Sequence, residues 1–123
     1  RDNIAYAATA SVGYIEDFAN KVQRASLVQG TSFIHVLAPC PTGWGIDTSE
    51  TIEVAREVVD TGLWYLAEYY DGEYHLNKRP KEFQDVTHYI KRQGRFKHLT
   101  DEDIEHIVES RDKTWERILR NYK

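Results

Sequence analysis

The sequence predicts an α/β fold, and three observations carry that prediction. A short apolar run, "IAYAATA" (residues 4–10), is followed by a stretch whose large apolar residues recur every three to four positions. A second run, "SFIHVLA" (32–38), is rich in β-branched and aromatic residues and opens directly into a Pro/Gly-rich loop. Strand, helix, strand and then an irregular loop is the order of a βαβ unit, whose strands lie parallel in a sheet with flanking helices. At 123 residues, 41% of them hydrophobic, the chain has the size and composition of one small domain with a modest core.

Each element has its own warrant. The first run fits a buried strand, with helix as the competitor because of its alanines. Tyr14, Phe18, Val22 and Ala25 define one face of a helix, Glu16 and Asp17 sit in its first turn where the macrodipole favours acids, and Gly30 ends it. Residues 32–38 read as a second buried strand. Asp47 and Glu50 have capping-box spacing ahead of a helix faced by Ile52, Ala55, Val58 and Val59 and closed by Gly62. "LWYLAEYY" then meets "EYHLN" across Asp71-Gly72, the signal of a type I′ hairpin, here an antiparallel appendage. Residues 80–93 read as a short helix starting near Pro80, with Phe83, Val86 and Ile90 inward. Thr100 and Asp103 cap a last helix carried by Ile104, Ile107, Arg111, Trp115, Ile118 and Tyr122. The expected division is residues 1–62 as the α/β part, with a loop at 38–46, and 63–123 as hairpin and helical tail.

The bulk numbers exclude some functions. A formal charge of −4 lacks the basic field that nucleic-acid binders present to phosphates, so no nucleic-acid partner is expected. The apolar runs fall far short of the roughly 20 residues that span a bilayer, and the first ten residues lack a hydrophobic signal core. A cytoplasmic protein with no membrane partner is the expectation. The chain has no methionine and begins only three residues before its first strand, which reads as the tail of a longer protein.

The only cysteine, Cys40, lies between Pro39 and Pro41 in "HVLAPCPTGWG", where an apolar strand ends. Open α/β sheets place ligands at the carboxyl ends of their strands. The prolines fix φ on both sides and restrict Cys40 to extended backbone, while Gly43 and Gly45 tolerate tight turns. Three readings are open. Cys40 is a small buried hydrophobe, a nucleophile, or one ligand of a metal or cluster site. A nucleophile needs a base, and His35 would leave the opposite face of an unbroken strand. A metal site needs about three further ligands, which would have to come from elsewhere because the chain has no other cysteine.

"ATASVGYIEDF", "FIHVLAPCPTGWG", "TIEVAREVVDTG" and "QGRFKHLTDEDI" occur in this order. The chain resembles, over nearly its whole length, the C-terminal part of the β subunit of pyruvate:ferredoxin oxidoreductases, within the 2-oxoacid:ferredoxin oxidoreductase family. The resemblance implies the last portion of a thiamine-diphosphate-binding fold. It implies that Cys40 matches the C-terminal ligand of a four-iron, four-sulfur (4Fe-4S) cluster whose other ligands lie upstream in the same subunit. It also implies a reaction for the whole complex: oxidative decarboxylation of pyruvate with coenzyme A, or the reverse synthesis, coupled to ferredoxin. The family's Gly-Asp-Gly motif for diphosphate and Mg2+ and its upstream Cys-x-x-Cys are absent from these residues, so no catalytic residue is expected in this segment and alone it should be inactive.

The remaining candidates follow from that loop. Thr42, Gly43 and Trp44 form the possible cluster environment: Trp44 would exclude water, and Thr42 with the amides of Gly43 and Gly45 would hydrogen-bond cluster sulfurs, each against a plain packing or turn role. The five histidines show no metal-binding spacing. Lys91, Arg92, Arg95, Lys97 and His98 form a basic cluster, read as a solvated face, a docking surface for another subunit, or a contact for coenzyme A phosphates. Trp64, Tyr65, Tyr69, Tyr70 and Tyr74 read as core or interface packing. Glu53 and Glu57 read as a solvated helix face.

Overall fold

The computed structural model describes residues 4–123; Arg1, Asp2 and Asn3, at the head of the expected first segment, lie outside the described residues. Four strands form one mixed sheet in the order β2-β1-β3-β4. Strand β1 (Ile4–Ser11) pairs in parallel with β2 (Thr31–Leu37) through helix α1 (Ile15–Leu27), which is the expected βαβ unit. On its other edge β1 pairs antiparallel with β3 (Ala67–Tyr70), which continues into β4 (Glu73–Leu76). The hairpin therefore extends the sheet. Its turn has positive φ at Asp71 (52°) and Gly72 (76°), as a type I′ turn requires.

Alternation along β1 buries Tyr6, Ala8 and Ala10 on the face covered by α1. The helix meets the sheet one position away from the expected stripe. Val22 is 48% exposed, whereas Lys21 is fully buried because its ammonium donates to the Thr9 carbonyl at 2.8 Å and pairs with Asp17 at 2.6 Å. A long aliphatic stem with a satisfied head packs as well as valine does. Burial pushes the Lys21 pKa down, opposed by Asp17. On the same face Glu68 is buried and accepts from Tyr6 Oη at 2.5 Å, Asn77 Nδ2 at 2.8 Å and the Arg24 guanidinium.

The second strand was expected to be buried and is not. It is a sheet edge, and Phe33 is 57% exposed on the face away from α1.

The main core lies at the carboxyl end of the sheet. There α3 (Thr51–Asp60), α4 (Val86–Lys91) and α5 (Asp101–Asn121) pack Val54, Val58, Val59, Val86, Tyr89, Ile90 and Ile104 around Leu66. In α3 the inward face is Val54, Ala55, Val58 and Val59; Ile52 faces out. Asp47 makes no side-chain cap and instead opens a 3-10 turn over Thr48–Glu50, so the expected capping box is absent. Helix α4 is shorter than expected because Asp85 caps it through Thr87 N at 2.8 Å. Residues 80–85 are a loop tied by Gln84 N to the Asp60 carbonyl.

Helix α5 begins with the capping box of Thr100 and Asp103, an arrangement worth about 1 kcal/mol. Trp115 donates to the Gly62 carbonyl at 2.8 Å and Arg111 to that of Thr61 at 3.1 Å, fastening α5 to the end of α3. After the helix, Lys123 exchanges backbone hydrogen bonds with Tyr74 and Leu76 along the free edge of β4. No helix of the described residues is long and apolar enough to cross a membrane.

Candidate functional site

The carboxyl ends of β1 and β2 carry the two features with chemical character. After β2, Pro39 is buried and Cys40 exposed at the N-cap of α2 (Pro41–Trp44), with φ −99° and ψ 108°. That extended conformation is what a following proline imposes. The turn closes through Trp44 N to the Cys40 carbonyl at 2.8 Å and Ile46 N to the Pro41 carbonyl at 3.0 Å. Gly45 is left-handed (φ 69°), and its amide also donates to Pro41, so that amide is spent within the turn and not offered to a ligand. Thr42 and Gly43 lie in the first turn of α2, where amides have no intrahelical acceptor. A Cβ on Gly43 would stand 3.5 Å from Cys40 Sγ, so the sulfur lies over Gly43. Trp44 is half-buried against the main core. These four predicted residues are therefore gathered in one compact turn, with Cys40, Thr42 and Gly43 exposed and Trp44 half-buried.

His35 is not part of it. The ring sits on the sheet face beside Phe33 and packs edge-on against Trp64 at 5.0 Å. Among the described residues no group of three or more His, Cys, Asp or Glu is placed to hold a metal ion.

The second feature was missed from the sequence. A recess at the end of β1 is lined by Gly13, Tyr14, Glu16, Asp17, Ile52 and Arg56. The Arg56 guanidinium lies 4.3 Å from the Tyr14 ring centre and donates to the Gly13 carbonyl at 2.9 Å, while Tyr14 Oη donates to Asp60. Burial and the Asp60 carboxylate push the Tyr14 pKa up to about 12, so the phenol stays protonated and keeps donating. The available signal was the Ser11–Tyr14 link ending a strand, which leads into the recess as Pro39–Gly45 leads from β2.

The basic cluster divides into unlike parts. Lys91, Lys97 and His98 are exposed. Arg92 is not solvated: it pairs with Glu50 at 2.8 Å, Glu53 at 2.6 Å and Glu57, and Glu57 also meets His88 Nδ1 at 2.8 Å. Burial opposes the Arg92 charge, but hydrogen bonds to Glu50, Glu57 and Glu53 outweigh it and push the pKa up. Glu53 and Glu57 thus converge on a cation across helices and are not a simply solvated face. Arg95 leaves the cluster altogether and stacks on Trp44, its guanidinium carbon 3.7 Å from the ring centre.

Cys40 is thus an exposed cysteine at a strand end, with no group of three or more His, Cys, Asp or Glu around it among the described residues. No protein-family model matches the chain. It is 47% identical over 119 residues to the ketoisovalerate oxidoreductase subunit VorB of Pyrococcus abyssi, covering 95% of this chain and 38% of that protein. It is also 47% identical over 104 residues to the pyruvate synthase subunit PorB of Methanocaldococcus jannaschii, covering 85% and 35%. The PorB of Thermotoga maritima is 36% identical over 119 residues, covering 93% and 37%. The chain belongs to this PorB/VorB family of 2-oxoacid oxidoreductase subunits. It spans little more than a third of the length of the curated relatives it matches.

Proposed function

We propose that this segment completes a subunit of a cytoplasmic 2-oxoacid:ferredoxin oxidoreductase, with Cys40 as one thiolate ligand of a 4Fe-4S cluster. The observation that carries the reading is the exposed Cys40 sulfur on a turn fixed by two prolines, in a chain of this family. The donor chemistry fits, because soft thiolate sulfur is what iron-sulfur iron takes. One ligand is supplied here, and the others come from the remaining length of the subunit. Gly43 lies beside the sulfur and Thr42 and Trp44 share its turn, so Trp44 would limit water and the first-turn amides of Thr42 and Gly43 would donate hydrogen bonds. When bound, the cluster supplies one-electron transfer, and thiamine diphosphate with Mg2+, held by the rest of the subunit, supplies the carbanion chemistry of decarboxylation.

The whole reaction in this reading is oxidation of a 2-oxoacid with coenzyme A to an acyl-coenzyme A and carbon dioxide, with reduction of ferredoxin. Pyruvate is the first choice of substrate. Ketoisovalerate is the second, because the VorB and PorB relatives are equally similar. Residues 63–123 would then face other subunits of the complex.

The test is Cys40→Ala in the full-length complex. The cluster at this position should be lost or converted to a three-iron form, seen in iron content and electron paramagnetic resonance, while thiamine diphosphate still binds. A variant with all clusters and normal ferredoxin reduction would show that Cys40 is a packing residue.

A further inference from the structure

The Cys40 turn is held from its far side by a segment half the chain away. Gly94 N donates to the Gly45 carbonyl at 2.9 Å, and the approach is so close that a Cβ on Gly45 would stand 2.7 Å from Gly94 N and Cα. Next to this contact the Arg95 guanidinium carbon lies over the Trp44 ring, 3.7 Å from its centre, and 4.3 Å from that of Phe96. Arg95 is itself aimed. Its Nε donates to Gln93 Oε1 at 2.9 Å, and the fully buried Gln93 donates from Nε2 to the Tyr89 carbonyl at 2.7 Å. Among the described residues no carboxylate pairs with Arg95, in contrast to Arg92 three residues earlier, which three glutamates hold. The nearby charge that neutralises a typical surface arginine is replaced here by an aromatic face.

We propose that Arg95 is a positioning residue for the Cys40 turn: with Gln93 orienting it, the guanidinium presses Trp44 into place and so fixes the direction of Cys40 Sγ. The proposal deepens the reading of Cys40 as a cluster ligand and rests on it for its functional meaning. The turn has only two short internal hydrogen bonds, from Trp44 and Ile46, besides the cap of Gly45. So short a turn needs outside contacts to hold a bulky ring: one side of Trp44 rests on the main core, and Arg95 with Gly94 supplies the contact from the other segment. A ligand whose direction is set before the cluster arrives loses less freedom on binding it.

The test uses the full-length protein in its complex and reads backbone amide exchange, which needs no cluster. In Arg95→Gln, exchange of the peptide covering residues 40–46 should rise at least tenfold, while that of residues 101–121 stays at the wild-type rate. Arg95→Lys keeps the charge but not the planar stack, and should remain loosened. Lys97→Gln, an exposed member of the same basic run, should change nothing. Wild-type exchange over 40–46 in Arg95→Gln overturns the proposal. So does full protection in Arg95→Lys, or an equal rise throughout the chain, which would make Arg95 a general stability residue. The cluster signal of Cys40→Ala separates this from the ligand reading: a loosened turn in Arg95→Gln with clusters intact in Cys40→Ala sinks only the ligand assignment. The reverse pair of results sinks only Arg95.

Discussion

The Cys40 turn and the sheet face away from α1 are both partly exposed, and they are held in opposite ways. The turn is covered from behind by backbone-to-backbone contact with Gly94 and by the Arg95 guanidinium, while Cys40, Thr42 and Gly43 face outward. Among the described residues, the sheet face has no helix layer on it. It presents Phe33, His35, Tyr69 and Tyr74, closed only at one end by Tyr65 and Tyr122. A sheet carrying a parallel pair ordinarily has both faces covered. The difference teaches that exposure has two meanings in this chain: a presented group on a braced turn, and an apolar surface waiting for cover.

Two glycines with positive φ, one in each region, sharpen this comparison most. Gly45 (φ 69°) has Gly94 backbone where a Cβ would go, whereas Gly72 (φ 76°) at the hairpin tip has nothing within 4 Å. Gly45→Ala should therefore combine left-handed strain with overpacking and cost about 2–4 kcal/mol. Gly72→Ala bears the strain alone, about 1–2 kcal/mol. Urea melts of the full-length protein measure both. Equal costs would mean that the Gly45–Gly94 approach relaxes freely and braces nothing.

The covered face of the sheet supplies the next test. Burial acts to raise the Glu68 pKa, but hydrogen bonds from Arg24, Tyr6 and Asn77 prevail and hold it below the ordinary carboxylate value. A depressed folded pKa means that the unfolded chain binds the proton more readily. The stabilisation is therefore present above the unfolded value, near pH ~4.3, and is lost as pH falls through the folded pKa. Arg24 is half exposed, so solvent screens that part of the network. Glu68→Gln should lower stability by about 1–2 kcal/mol at pH 7 and flatten the acid limb of the stability profile. An unchanged acid limb would show that other carboxylates dominate it.

Much of this was legible in the sequence where local rules act alone. The Asp71-Gly72 turn, the Thr100/Asp103 capping box and the βαβ order follow from backbone preferences that no distant residue contradicts. The failures have two physical causes, a tertiary partner overriding a local pattern at α1 and an unrecognised local cap at α4. Lys21 replaced Val22 in the α1 interface because Asp17 and the Thr9 carbonyl receive its ammonium. Asp85 started α4 six residues late because its side chain reaches Thr87 N. At the site, the fixed turn around Cys40 was readable from its prolines. Arg95 was visible only as one of five basic residues, since its partner Trp44 lies far away along the chain.

The smallest effect on stability, and the sharpest test of the open face, is expected from Phe33→Ser. Phe33 projects from the edge strand β2 with more than half its surface in water, so removing the ring should change the melting free energy by no more than about 0.5 kcal/mol. Its effect should fall on association. Large uncovered apolar faces are rare on monomers, and a free strand edge beside one invites pairing, so the 123-residue chain should self-associate in sedimentation, and less so with serine at this position. In the full-length subunit the same substitution should cost more than 1 kcal/mol if other parts of the protein cover the ring, because a buried phenylalanine side chain contributes about 1.5–3 kcal/mol. A 123-residue chain that stays monomeric at all concentrations, with a full-length protein indifferent to Phe33→Ser, would break the comparison, since the aromatic face would then be an ordinary solvated surface.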